Sequence, residues 1–350
     1  MSEYQILAVL AAFTFLYSLA ASKLERTPVS GALVYVVAGL VCGQAGLKLV
    51  DLGIGAEGIS LLAELTLAVV LFTDSANANL AVLRRFEAVP ARLLLIGLPL
   101  TIALGFFAGL VIFDDLSLVE TALLAAMLAP TDAALGKAVV TNESVPESVR
   151  ESLNVESGLN DGICVPVLLL FLALAGDEAG GRNALGLAIL LPLQAIGIGA
   201  AVGVGLGAAG SGALHVCSGK GWIGGTWLQV PVVALALLCF ALAQRLGGSG
   251  FIAAFVGGLT FGALTRRHKH SVLASAEGTA DVLALLTWFT FGTFLLVRPF
   301  AAVDWRILTY SLASLTVVRM LPVLVGLAGL GLRLETRLLP GGFGRRGLAS

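Results

Sequence analysis

Apolar residues follow one another along the chain in long blocks, separated by short polar stretches. A membrane-spanning helix needs about 20 consecutive, mostly apolar residues, and the blocks have about that length. They predict eleven spans: 4–22, 31–50, 58–77, 91–113, 117–140, 149–175, 184–209, 226–244, 250–265, 279–297 and 307–331. The sequence therefore predicts an all-α polytopic membrane protein in which residues 1–350 form a single membrane domain.

The composition agrees with this pattern. Of the 350 residues, 58% are hydrophobic and only 12% are charged, whereas about a quarter of the residues in a soluble domain are charged. The net charge of −1 does not indicate a nucleic-acid partner. Membrane lipid is the expected surrounding, and no cofactor motif is present.

Basic residues sort the loops into two sides. Of the 21 Lys and Arg residues, 15 follow odd-numbered spans, 5 follow even-numbered spans, and Arg319 lies within a span. Positively charged loops stay in the cytoplasm. The bias predicts a multi-pass protein of the cell membrane with its N-terminus outside.

The seventh span is rich in glycine, with the sequence GIGAAVGVGLGAAGSG. Small residues allow helices to approach closely in lipid. We expect a packing role for this segment, and a flexible hinge is the alternative.

The fifth span contains the sequence LAPTDAALG. Pro130 lacks an amide hydrogen and disturbs the preceding turn, so we expect the helix to be interrupted just before Thr131 and Asp132. Broken backbone within a membrane is tolerated beside a cavity or inside protein. Asp132 is therefore either an ion ligand or the cap of a helix that restarts there, and the two roles are compatible.

The sixth span begins with ESLNVESGLNDG. On a helix, Glu156 and Asn160 lie four residues apart, as do Ser157 and Asp161, so two polar stripes face the same direction. The alternative is that the stretch is a cytoplasmic loop and the span begins at Ile163. That start would leave only a short apolar run up to residue 175.

Arg319 lies within the eleventh span, in the sequence VVRMLPVLV. An ionisable group inside a membrane costs several kcal/mol and usually has a partner of opposite charge. Glu156 is the candidate partner. The alternative is that the arginine extends to an interface.

Two carboxylates on neighbouring spans would give this protein a specific chemistry. If Asp132 and Asp161 share a site of low dielectric, they cannot both be ionised cheaply, so the site holds either protons or a cation. A sodium ion would find oxygen ligands on Asp132, Asp161, Ser157 and Thr131. The competition between the proton and the cation is the basis of exchange.

These motifs resemble the monovalent cation:proton antiporter-1 family, the NhaP-like sodium/proton antiporters. Together with the two site motifs, the stretches LFTDSANANLAVLRR, RLLLIGLPLTI and VVRMLPVLV carry the likeness over nearly the whole chain. The resemblance implies an inverted-repeat antiporter fold with crossed interrupted helices at mid-membrane. It also implies a homodimer, and a core domain that moves against a dimer domain.

The resemblance further implies roles for individual residues. Asp161 matches the principal cation- and proton-binding aspartate, and Asn160 its neighbour. Asp132 and Thr131 match ligands on the interrupted helix, and Glu156, Ser157 and Arg319 match the remaining groups of the site. The Asn-Asp pair is similar to the electroneutral, one-for-one branch. The cargo is then H⁺ against Na⁺, Li⁺ or K⁺.

The family has about thirteen spans, and its second interrupted helix lies near the C-terminus. Here the chain ends at GGFGRRGLAS. We therefore expect about two further spans to be missing after residue 350, and transport by this chain alone to be impaired.

Two other functions fit parts of the pattern. Intramembrane aspartyl proteases also use two aspartates on neighbouring spans, but the approach to Asp161 reads Gly-Leu-Asn-Asp rather than the Gly-x-Gly-Asp type that they require. A cation channel usually lines its pore with repeated rings or carbonyl filters, and the sequence shows no such repeat. The sequence favours a transporter that is not an enzyme.

Overall fold

The structure is a computed structural model. It describes residues 3–24, 31–43, 46–49, 56–78, 88–130, 184–224, 227, 230–265, 269–294 and 304–329, and, in the sixth span, positions 156, 160, 164, 167, 168, 170–172, 174 and 175.

The described elements are helical throughout. Two of them are turns of π-helix, which we call π1 and π2. In chain order the elements are α1 Glu3–Leu24, α2 Gly31–Cys42, α3 Ala56–Asn77, α4 Ala88–Arg92, π1 Leu93–Gly97, α5 Leu98–Ile112, α6 Leu118–Leu128, α7 Ala184–Gly219, α8 Val230–Arg245, α9 Gly250–Leu264, α10 Lys269–Phe294, α11 Trp305–Ala313, π2 Ser314–Val318 and α12 Arg319–Gly326.

Most of the predicted spans coincide with these helices. Five described segments are long and apolar enough to cross a membrane, and five shorter apolar helices accompany them. Together they account for ten of the eleven predicted spans, and the described positions of the sixth span are helical. The prediction of an all-α membrane protein is confirmed.

Three helix boundaries differ from the prediction by two turns or more. The second span ends as a helix at Cys42 rather than at residue 50, because the chain turns at Gly43 and Lys48 has a positive φ of 54°. Helix α7 continues ten residues beyond the predicted end, to Gly219, and α10 begins ten residues early, at Lys269. Apolar content marks where lipid ends, whereas a helix continues as long as its backbone hydrogen bonds do.

The described helices form two bundles. The first bundle contains α1, α2, α3 and α7–α10, and the second contains α4–π1–α5, α6 and α11–π2–α12. Between described helices of different bundles, no pair packs extensively. The bundles are therefore separate packing units within the membrane domain.

Glycines bring the helices of the first bundle into backbone contact. A Cβ atom at Gly199, Gly203 or Gly207 would lie 2.5–2.6 Å from a carbonyl oxygen of the Ser249–Gly257 stretch. These three glycines recur every fourth residue and form one stripe of α7, so α9 can pack directly against its backbone. This confirms the predicted packing role of the glycine-rich span.

The second bundle contains the described part of the fifth span, up to Pro130. Helix α6 begins with a capping box, in which the Ser117 hydroxyl accepts from the Glu120 amide and the Glu120 carboxylate accepts from the Ser117 amide. The helix ends at Leu128, and Ala129 and Pro130 form a bend. The helix therefore stops before Pro130, as its missing amide hydrogen predicts.

Candidate functional site

One of the two predicted polar stripes of the sixth span, that of Glu156 and Asn160, lies within the described residues and forms as its spacing predicts. Glu156 and Asn160 are helical, and the Asn160 side-chain amide donates a 3.2 Å hydrogen bond to the Glu156 carboxylate. Asn160 is only 1% exposed. Cys164, one further helical turn along, is also buried. This hydrogen bond stabilises the buried Asn160 carboxamide, because a buried polar group without a hydrogen bond is costly.

Cys164 places this face beside the break in the fifth span. Its side chain belongs to a buried cluster with Leu98 of α5 and Ala129, the residue before Pro130. The fifth and sixth spans are therefore neighbours at this depth. The polar face therefore lies near the end of α6.

Arg319 belongs to the same region. It is the first residue of α12 and is partly buried, with its Nε atom fully enclosed. The Glu156 carboxylate acts on its guanidinium group electrostatically. Opposite charges lower the cost of holding each other inside a membrane. The structure thus brings together three of the seven predicted site residues. Glu156 and Asn160 lie on the sixth span, and Arg319 lies on the eleventh.

The other four predicted site residues, Thr131, Asp132, Ser157 and Asp161, lie outside the described residues. Their roles as cation ligands remain predictions. Within the described part of the chain, no three His, Cys, Asp or Glu side chains are grouped so that they could hold a metal ion.

A polar contact in the first bundle was not predicted from the sequence. The Asn77 side-chain amide, at the end of α3, donates a short hydrogen bond to the Glu277 carboxylate of α10. Farther along the same helix pair, the hydroxyls of Thr66 and Thr287 lie 2.9 Å apart. Glu277 was outside the predicted tenth span, because the polar start of α10 lowers its hydropathy. No side-chain spacing indicated a helix there, since Glu277 and Asp281 are like charges four residues apart, which disfavour one.

The sequence pattern of the family described as "Sodium/hydrogen exchanger, transmembrane" matches residues 9–348. The chain belongs to the sodium/hydrogen exchanger family. This confirms the resemblance to cation:proton antiporters, and it favours a transporter over the channel and protease alternatives.

Curated relatives of this sodium/hydrogen exchanger family member are antiporters. The K(+)/H(+) antiporter NhaP2 of Shewanella sp. (strain MR-4) is 26% identical over 318 residues, covering 87% of this chain and 51% of the relative. The Na(+)/H(+) antiporter 2 of Zygosaccharomyces rouxii is 25% identical over 228 residues, covering 61% of this chain and 28% of the relative. The chain spans about half the length of the NhaP2 relatives that it matches.

Solved structures share the fold. The sodium proton antiporter MjNhaP1 of Methanocaldococcus jannaschii at pH 8 superposes with a TM-score of 0.76, at 20% identity, covering 97% of this chain and 85% of that one. An electron-microscopy map of the same antiporter gives a TM-score of 0.77. The predicted antiporter fold is confirmed by this likeness.

Proposed function

We propose that the protein is a secondary active antiporter that exchanges a monovalent cation, Na⁺, K⁺ or Li⁺, for H⁺ and so contributes to pH homeostasis. One observation carries the proposal beyond family membership. The partly buried Glu156 and the buried Asn160 form a hydrogen-bonded pair, next to the charge of Arg319 and near the end of α6 at Pro130. Ionisable groups inside a membrane mark ion pathways.

The transported ion binds in this proposal between the fifth and sixth spans. Ala129 and Cys164 belong to one buried cluster. Asp132 follows Ala129 by three residues, and Asp161 precedes Cys164 by three residues. This spacing supports a site in which the two aspartates, with Thr131 and Ser157, hold either a sodium ion or protons. Asn160, Glu156 and Arg319 support the site from one side.

The transport cycle follows the alternating-access scheme. The division of the described helices into two bundles supports a motion of the site-bearing second bundle against the first. We propose that the exchange is electroneutral, and that the protein works as a homodimer in the cell membrane with its N-terminus outside. The excess of basic residues after odd-numbered spans supports this orientation.

Everted membrane vesicles carrying the full-length protein test the activity. A proton gradient is established, a pH-sensitive dye reports it, and NaCl, LiCl or KCl is then added. At least one of these salts should collapse the gradient. The rate of collapse on Na⁺ addition should be the same with and without a clamp of the membrane potential by valinomycin and K⁺, because electroneutral exchange moves no net charge, whereas electrogenic exchange would be faster with the clamp.

Variants assign the activity to the site. Asp161→Asn should abolish the response at every cation concentration. Glu57→Gln, which changes an exposed carboxylate at the start of α3, should leave it intact. Exchange by Asp161→Asn at the wild-type rate would refute the site. A cation current without proton movement would indicate a channel, and cleavage of membrane peptides without a sodium response would indicate a protease.

A further inference from the structure

The fourth and eleventh spans share one irregularity of the helix. Each has one turn of π-helix between two α-helical segments: π1 separates α4 from α5, and π2 separates α11 from α12. In π1 the Leu98 amide donates to the Leu93 carbonyl, five residues earlier. Single π-turns inside α-helices often occur at functional sites.

Both π-turns have a proline shortly after them. Proline cannot donate to the carbonyl four residues earlier, and its ring pushes that carbonyl aside. For Pro322 this carbonyl belongs to Val318, the last residue of π2, and for Pro99 it belongs to Leu95, within π1. In each span the α-helical turn is thus disfavoured where the π-turn is found.

The two halves of the eleventh span pack against different partners. In α11, the Tyr310 hydroxyl donates a 3.2 Å hydrogen bond to the Gly105 carbonyl of α5. After π2, a Cβ at Gly326 would lie 3.4 Å from the Arg92 carbonyl oxygen. Beyond the end of α12, the Arg92 guanidinium donates a 2.6 Å hydrogen bond to the Ala328 carbonyl. Both halves are therefore held, and π2 takes up the difference in register between them.

Arg319 is the first residue after π2. A π-turn holds one residue more than an α-turn, so it rotates the following helix by about 100° relative to a continuous α-helix. The direction of the Arg319 side chain consequently depends on π2. We infer that Pro322 is a positioning residue: by maintaining π2 it turns Arg319 toward Glu156. This inference rests on the proposed function, in which Glu156 and Arg319 support the ion site.

The test uses the full-length protein in proteoliposomes. Pro322→Ala allows π2 to become an α-turn, which moves α12 out of register. The apparent KM for Na⁺ should rise about tenfold, the usual loss when a group that orients an ion ligand is removed. Deleting Leu315, which is 68% exposed, from the Pro322→Ala protein shortens the turn by one residue and returns α12 to its register. The KM should then return toward the wild-type value. Pro231→Ala is the matched control, because Pro231 lies in the first turn of α8, where no amide hydrogen is needed.

A second readout does not require transport. A nitroxide attached at Leu321→Cys, in a protein lacking the partly exposed Cys42 and Cys217, reports contact with lipid, since Leu321 is 46% exposed. Its collision rate with dissolved oxygen should fall in Pro322→Ala and recover after the Leu315 deletion. Should the wild type not exchange ions, the proposed function fails while this readout still tests Pro322.

Three outcomes would overturn the inference. The first is a Pro322→Ala protein with wild-type KM and label exposure. The second is a Pro322→Ala protein in which the KM and the label exposure both change and the deletion restores neither. Pro322 would then matter only for local packing. The third is that neither the single nor the double variant accumulates in the membrane.

Discussion

The Asn160 amide donates its 3.2 Å hydrogen bond to Glu156, a residue that also faces the positive charge of Arg319. Glu156 thus serves two neighbours, one through a hydrogen bond and one through its charge. Its replacement by glutamine separates these roles, because a glutamine carbonyl can still accept from Asn160 but has no charge.

Glu156→Gln should lower the thermal stability of the purified protein. Removing the carboxylate leaves the charge of the partly buried Arg319 uncompensated inside the membrane, which costs at most about 3–5 kcal/mol, the value for a fully buried pair. Glu156→Gln combined with Arg319→Gln should regain much of the loss while transport remains impaired. Thermal unfolding in detergent and dye-based transport in vesicles measure the two effects. Equal melting temperatures for wild type and Glu156→Gln would show that the pair does not contribute to stability.

The contact between α7 and α9 gives a prediction with an internal control. A Cβ at Gly203 would lie 2.6 Å from the Ala253 carbonyl oxygen, whereas a Cβ at Gly205 would meet no atom within 4 Å. Gly203→Ala should destabilise the protein by about 1–3 kcal/mol through overpacking. Gly205→Ala, on another face of the same helix, should be neutral or slightly stabilising, because alanine favours a helix by about 0.5–1 kcal/mol over glycine.

Thermal unfolding of the two glycine variants, measured in the same detergent, decides the point. Equal loss of stability in both would mean that the substitution acts through the helix itself rather than through the contact with α9.

Apolar blocks predicted the spans well, because burial in lipid requires long apolar stretches whatever the partners of each helix are. They failed at the ends of α7 and α10, since these helices continue through polar residues. The π-turns were not predicted either. Pro99 and Pro322 indicate a disturbance of the helix, but the packing of the flanking segments decides whether the chain kinks or gains a π-turn.

The polar contacts could be predicted from the sequence to different degrees. The Glu156–Asn160 contact follows from four-residue spacing on one helix. The proximity of Arg319 to Glu156 was inferred from charge, because a buried arginine requires a carboxylate. The Asn77–Glu277 hydrogen bond joins helices 200 positions apart in sequence, and neither spacing nor charge could have selected that pair from the other polar residues.

At an end of the second bundle, Arg306 contacts two carboxylates, with 3.0 Å separations from both Asp114 and Asp115. The acids are 79% and 81% exposed. Exposed ion pairs contribute about 0–1 kcal/mol because water screens them. Arg306→Ala should therefore change the melting temperature little, and any change should diminish at high salt. A large loss that is independent of salt would instead indicate that the stem of Arg306 packs against its neighbours.

Competition between the cation and protons predicts a pH dependence of affinity. If the site shared by Asp132 and Asp161 must lose one proton before the cation binds, as one-for-one exchange requires, the apparent KM should rise by about tenfold for each unit of pH below the titration range of the site. The maximal rate at saturating cation should change less over the first unit, because the cation displaces the protons. Initial rates of dye response, measured over a series of Na⁺ and K⁺ concentrations at several pH values, separate the two parameters. A KM that is independent of pH, with a rate that falls in acid, would show that protons act at a different place from the cation, and the shared carboxylate site would then have to be abandoned.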